Sequence, residues 1–268
     1  MSAAADRTAG VDAHMPASEM FSAQQYNDAY PDGIERHWWM RARSAIVAAV
    51  IRECAPSRAG VLEVGCGRGA AVLGLRAAGI GCQGVELADV APLPAVAAHV
   101  TVATDALALP FDWRQGIDTL LLLDVLEHLQ DPQGFLRALA QGFPKLRRVI
   151  VTVPAGPSLW SNYDKYYGHQ RRYRRAGLRE LAADLGWRIP LCRHFFHTLF
   201  APAWVQSRLG LARPVRLRAP GAATNGLHHM LAWAMRWDYR CLPGALPGTS
   251  AIACLELPEP AVSPPAHG

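Results

Sequence analysis

Apolar residues in this chain fall into short unbroken runs separated by longer stretches with helical spacing. The segment ERHWWMRARSAIVAAVIREC, about 35–55, has helix-compatible apolar spacing and ends before Pro56. An apolar run at 61–64 then enters a glycine turn and an alanine-rich helix that stops at Gly79. The same rhythm recurs: strands are predicted near 83–86, 99–103 and 118–123, a helix from 131 to about 142, and a strand at 148–153. Such alternation predicts an α/β fold, a parallel sheet with helices on both faces. Past Pro154 the rhythm changes. A loop running to Tyr173 leads to a helix at about 174–185, a strand at 187–196 and a last strand at 250–257. Between these strands lie about fifty residues rich in Trp, Pro and Arg, broken by RAPGAATNG at 218–226. No internal repeat is visible.

Composition narrows the class. With 268 residues, about half of them apolar, the chain suits one elaborated domain. No run reaches the roughly 18 apolar residues of a membrane-spanning helix. Residues 1–34 lack the basic opening and apolar core of a secretion signal and read as a flexible leader; 258–268 is proline-rich and reads as a disordered tail. The six cysteines are scattered without metal-ligand spacing, which points to reduced thiols and a cytoplasmic setting. Charge is uneven: residues 1–134 carry 9 Lys/Arg against 16 Asp/Glu, and residues 135–268 carry 18 against 6. The basic half could face phosphate, nucleic acid or lipid headgroups.

The candidate chemistry begins in LEVGCGRGA. Gly65, Gly67 and Gly69 alternate between a strand and a helix N-terminus, where backbone can turn sharply and approach a ligand closely. A dinucleotide fold prefers G-x-G-x-x-G; here the pattern is E-x-G-x-G-x-G, with Glu63 inside the strand. Twenty-one residues after Gly65, Glu86 ends the second strand, where a carboxylate can accept two ribose hydroxyls. Asp105 and Ala106 follow the third strand in ATDALALPF, and the fourth ends in LLLLDVLEHLQDP.

Together these segments resemble class I S-adenosylmethionine-dependent methyltransferases, most strongly over 61–154. The resemblance implies a Rossmann-like seven-stranded sheet, mostly parallel with an antiparallel last strand, spanning 35–257 and carrying a helical insertion at about 198–247. It implies S-adenosyl-L-methionine as cofactor, held by Glu63, Gly65, Cys66, Gly67, Gly69, Glu86, Leu87, Asp105, Ala106 and Asp124, with Asp105 and Ala106 at the adenine. The D-V-L-E-H run resembles the signature of a branch that includes small-molecule O-methyltransferases. If that turn is helical, Asp124, Glu127 and His128 share a face. His128 is then the leading general base, with Glu127 beside it; alternatively the two merely hold the turn together. In ubiquinone-type relatives acids and a histidine of this motif bind a divalent metal, but three side chains on one turn without a remote ligand leave no metal assigned here.

A bacterial subgroup carries H-W-W-F-R-x-R before the first strand and L-W-S-x-x-D-x-x-x-G-H-x-R-R-Y after the fifth. This chain has His37-Trp38-Trp39-Met40-Arg41-Ala42-Arg43, and then Leu159-Trp160-Ser161, Asp164, Gly168-His169 and Arg171-Arg172-Tyr173. That resemblance makes His169 a second candidate base and puts Trp160, Arg171, Arg172 and Tyr173 at the acceptor, while Arg174, Arg175 and Arg179 read as an exposed helix flank. The insertion could be a lid, an interfacial membrane anchor or a packed helical subdomain. The expected activity is methyl transfer, O-methylation first, to a small-molecule or lipid/sugar-linked acceptor. Nucleic-acid amino methylation is disfavoured by the missing Asn/Asp-Pro-Pro-aromatic motif and nucleic acid in general by the lack of a base-reading motif, peripheral membrane contact stays open, and oligomeric state is not legible. A nicotinamide-dependent oxidoreductase and a non-catalytic cofactor-binding partner in glycan or lipid assembly are the alternatives.

Overall fold

The structure, a computed structural model, describes residues 22–55 and 60–258. Its helices are α1 (Ala23–Ala29), α2 (Trp38–Cys54), α3 (Ala70–Ala77), α4 (Phe111–Arg114), α5 (Pro132–Gly142), α6 (Asn162–Tyr166), α7 (Arg175–Asp184), α8 (Phe200–Arg208) and α9 (Asn225–Cys241). Its strands are β1 (Val61–Val64), β2 (Cys82–Val85), β3 (Val100–Thr101), β4 (Thr119–Leu123), β5 (Arg148–Pro154), β6 (Arg188–Phe195) and β7 (Ser250–Glu256). They form one seven-stranded sheet in the order β3-β2-β1-β4-β5-β7-β6. The first five pair in parallel, and β7 runs antiparallel between β5 and β6.

Both sheet faces are covered, which is why β1 and β4 are buried along their whole length and mostly apolar, with Glu63 the charged exception in β1. Alternate residues go to opposite layers: Leu121 and Leu123 pack with α2, α3 and α9, while Leu120 and Leu122 pack with α5 and α7. Local chemistry sets the helix ends. Asp131 accepts a hydrogen bond from the Gly134 N–H (2.8 Å) with Pro132 in the first turn, the reason α5 starts where it does. His37 caps α2 by accepting from the Trp39 N–H (3.3 Å), so the helix begins at Trp38, after a short 3-10 turn at Ile34–Arg36, rather than at 35.

The leader expectation is corrected over 22–34. Ser22 and Gln25 form a capping box that starts α1. The helix is tied down by Asp28, which accepts from the Tyr166 hydroxyl (2.6 Å) and the Arg216 guanidinium (2.6 Å). Residues 1–21 and the proline-rich tail from 259 lie outside the described residues. The insertion is helical: α9 packs along α2, and its Asp238 accepts from the backbone N–H groups of His197 and Thr198 (both 2.9 Å).

Candidate active site

In a doubly wound sheet ligands bind outside the carboxyl ends of the strands where the order reverses. Here that point lies between β1 and β4, and a cavity of about 450 Å³ opens there. Its floor is the glycine turn leaving β1. Gly65 and Gly67 both have left-handed backbone (φ 75° and 54°), and a side chain on Gly65 would put its Cβ 3.0 Å from Val125. A residue with a Cβ would therefore be strained at a position that lines the cavity.

Glu86, beyond β2, is buried and fixed at both oxygens. Oε2 accepts from the Gly67 N–H (2.7 Å); Oε1 accepts from the Ala88 N–H (3.0 Å) and the Tyr26 hydroxyl (2.9 Å). Burial and this carboxylate push the Tyr26 phenol well up, so it stays a donor. Tyr26 and Tyr30 both line the cavity. The segment read as leader thus walls the site, and the missed signal was the S-x-x-Q pattern at Ser22–Gln25. The Thr104 N–H donates to the Glu86 carbonyl (3.0 Å), which sets Asp105 alongside. Asp105 accepts from the Leu107 N–H (2.8 Å) and caps the turn that holds buried Ala106. Asp105, Ala106, Leu87, Cys66 and Gly69 do not line the cavity. Glu63 lies beneath it, its carboxyl raised to about 8 by burial.

The turn after β4 is not helical, which corrects the shared face. Asp124 takes left-handed backbone (φ 60°), and its carboxylate pairs with buried Arg43 and accepts from the Thr152 hydroxyl (3.1 Å). Arg43 in turn lies over the Trp39 ring at 4.5 Å. The second arginine of H-W-W-M-R-A-R therefore holds a cavity-lining carboxylate, a role that spacing alone did not assign. Glu127 and His128 are turned elsewhere, toward His169.

That cluster is the chemical centre of the cavity. The His128 and His169 rings meet edge to face at 4.8 Å, and both line the cavity. Burial, reinforced by His169, lowers His128 to about 3, so it is a neutral imidazole at ordinary pH. The His169 Nδ1 lies 2.9 Å from Asp164 Oδ1, leaving Nε2 as the ring atom available for proton transfer. Asp164 is fully buried and also accepts from the Arg172 Nε–H (2.7 Å) and the Ser161 N–H (2.8 Å). Burial would raise this carboxyl, but the bonds from His169 and Arg172 outweigh it and hold it well below the carboxylate range. Both carboxyl oxygens of Glu127 are buried without a hydrogen-bond partner, and burial pushes its pKa well up. Ligand atoms of Glu127, His128 and His169 lie within 4.8 Å of one another, so His169 is a remote donor that the sequence alone did not bring to this turn.

Of the cluster GHQRRYRR, His169 and Arg172 reach the cavity. Arg171 donates to the Leu129 and Gln130 carbonyls (both 2.9 Å), and the Tyr173 hydroxyl donates to the Leu126 carbonyl (3.1 Å). Both hold the post-β4 turn against the post-β5 loop; neither lines the cavity, nor does half-buried Trp160. Of the four residues expected at the acceptor, Arg172 is the one that lines the cavity. Arg172 faces the cavity, but its charge is neutralised by Asp164, so it positions more than it attracts.

A glycine turn after β1, an acid after β2 and a cavity at the switch point define a nucleotide-cofactor-binding α/β protein. Residues 38–190 match the family described as "Methyltransferase domain", and the chain belongs to that family. By that family match it is a methyltransferase. Among solved structures, it resembles a chain in the complex of the Haloferax volcanii Trm112 methyltransferase activator with a methyltransferase: 17% identity, TM-score 0.51, covering 90% of this chain and 100% of that one. It also resembles Haemonchus contortus phosphoethanolamine N-methyltransferase 2 bound to S-adenosylmethionine: 18% identity, TM-score 0.50, covering 90% of this chain and 61% of that one. At such identities the likeness carries the fold alone. A search of curated proteins finds no match. The nicotinamide-dependent and non-catalytic readings give way to the family match. Among the described residues no helix is long and apolar enough to cross a membrane.

Proposed function

We propose that the protein transfers a methyl group to an oxygen of a small-molecule or lipid/sugar-linked acceptor, with His169 as the general base. The observation that carries this reading is the Asp164–His169 pair, whose His169 lines the same cavity as Glu86 and the glycine turn. S-adenosylmethionine supplies an electrophilic methyl group on a sulfonium, and its departure leaves S-adenosylhomocysteine. Gly65, Gly67 and Glu86, which line the cavity, would hold the cofactor's amino-acid and ribose portions, and Asp105 and Ala106 would serve its adenine. Asp164 fixes the His169 ring so that Nε2 can take the acceptor hydroxyl's proton as the new C–O bond forms. His128 stays neutral and can direct that hydroxyl by a hydrogen bond. Trp38 and Trp39 help keep water from the wall opposite. Rate then comes mainly from alignment in a dry site, with proton removal adding a smaller factor.

A second reading has one observation in its favour: the partnerless carboxyl of Glu127 beside two imidazoles is a donor set that suits a divalent ion. Glu127, His128 and His169 would hold it, and it would polarise the acceptor oxygen. Calorimetric titration with S-adenosylhomocysteine, with NADH in parallel, tests the cofactor site. An acceptor screen with and without chelator then separates the two readings: chelator-insensitive turnover that His169→Ala abolishes supports the histidine base. Turnover that survives His169→Ala sinks it.

A further inference from the structure

Nine of the eleven exposed large apolar side chains among the described residues fall between 204 and 237, on and around α8 and α9. Helix α9 is apolar on two sides. One buries Ala232, Met235 and Tyr239 within the fold. The other exposes Leu227, Met230, Leu231, Trp233 and Trp237, a stripe of about 160° at 100° per residue. Exposed Arg236 and Arg240 run along one edge of that stripe. On α8 the division is similar: Pro202, Ala203 and Gln206 line the cavity, while Trp204 and Val205 are exposed and the Arg208 guanidinium lies over Trp204 at 5.1 Å. From 200 to 249 there are six arginines and a single acid, Asp238, which is buried and accepts two backbone N–H groups.

We infer that the exposed faces of α8 and α9 dock on an anionic lipid bilayer. Tryptophan with arginine on a half-exposed helix suits the headgroup layer, where indole and aliphatic stems sit in the boundary and guanidinium groups meet phosphate. A second copy of this chain fits less well, because a twofold contact would set the same arginine edges against each other with no exposed acid to pair them. Both helices bound the cavity: α8 lines it directly, and α9 backs its wall through His228, which accepts from the Trp38 N–H (3.1 Å). Docking by this surface would bring the cavity wall to the headgroup layer. The inference stands apart from the acceptor and the base, since binding is read without either.

The test is sedimentation of the full-length protein with vesicles of phosphatidylcholine alone and of phosphatidylcholine mixed with phosphatidylglycerol. Binding to the mixed vesicles, weakened by salt, is expected. Arg236→Gln and Arg240→Gln should each lower the partition about fivefold, and the double variant Trp233→Ser with Trp237→Ser should lower it about tenfold or more. Unchanged melting and S-adenosylhomocysteine binding would show that these variants are folded. Equal binding to both vesicle types, no binding at low salt, or wild-type binding by all the variants would overturn the inference. So would a concentration-dependent dimer dissolved by the tryptophan variant with no vesicle binding, which would give the surface to a second copy.

Discussion

Asp164→Asn separates a catalytic His169 from a merely buried one. Asp164 is fully buried and accepts four hydrogen bonds: from Arg172 (2.7 Å), His169 (2.9 Å), and the backbone (2.8 Å) and hydroxyl (3.2 Å) of Ser161. The amide keeps the shape and one accepting oxygen, but it removes the countercharge of Arg172, whose side chain is 3% exposed. Removing one partner of a buried pair costs about 3–5 kcal/mol, and the retained oxygen puts this variant near the lower figure. For a domain of this size, about 3 kcal/mol corresponds to a fall in Tm of roughly 6–12 °C. Below that Tm the folded variant should bind S-adenosylhomocysteine as the wild type does, because Asp164 is not among the residues around Gly65 and Glu86. Its kcat should fall by about 10² or more, since the imidazole loses the bond that sets its tautomer and orientation. Scanning calorimetry, cofactor titration and steady-state kinetics on one preparation read all three. A Tm loss with kcat unchanged would reduce Asp164 and His169 to a structural pair and refute the assigned base. An unchanged Tm would refute the buried ion pair itself.

Other consequences are independent of that residue. Glu86→Ala removes the acceptor for Gly67, Ala88 and Tyr26; hydrogen bonds to a charged group are worth about 1.5–3 kcal/mol, so S-adenosylhomocysteine affinity should drop roughly 10- to 150-fold by calorimetry, and unchanged affinity would remove Glu86 from the site. Gly65→Ala meets both a left-handed φ and Val125; it should cost about 1–2 kcal/mol of backbone strain and weaken the cofactor, while wild-type binding would exclude close approach there. Stability should peak near pH 6.5 as far as three buried groups decide it. His128 and His37 are lowered from 6.5 to about 3 and about 4, so their contribution is lost as pH falls below about 6.5. Glu63 is raised from 4.5 to about 8, so its contribution is lost as pH rises through that interval. Thermal melts across this range should show the dome, and Glu63→Gln should flatten the alkaline limb. A limb unchanged by that substitution would assign it to other groups.

The sequence by itself determined the sheet, the glycine turn after β1 and the acid after β2. Strands buried on both faces are mostly apolar, with Glu63 the exception in β1, and a turn that brings backbone to a ligand needs glycine at fixed offsets, so β1, its turn and the acid after β2 are written locally. The same holds for the capping box at Ser22–Gln25, a local signal outweighed by the polar composition around it. Only the tertiary structure decided which polar groups meet around Glu127 and His169. Asp124, Glu127 and His128 are neighbours in sequence, yet the left-handed backbone at Asp124 turns its carboxylate to Arg43, while Glu127 and His128 meet a histidine some forty residues on. Arg171, Arg172 and Tyr173 are consecutive and share one expected place at the acceptor, and the fold divides them by what each can reach: backbone carbonyls of the post-β4 turn for Arg171 and Tyr173, a buried carboxylate for Arg172. Such choices depend on which elements pack together and on which polar groups burial leaves in need of a partner, and neither is a property of residue spacing.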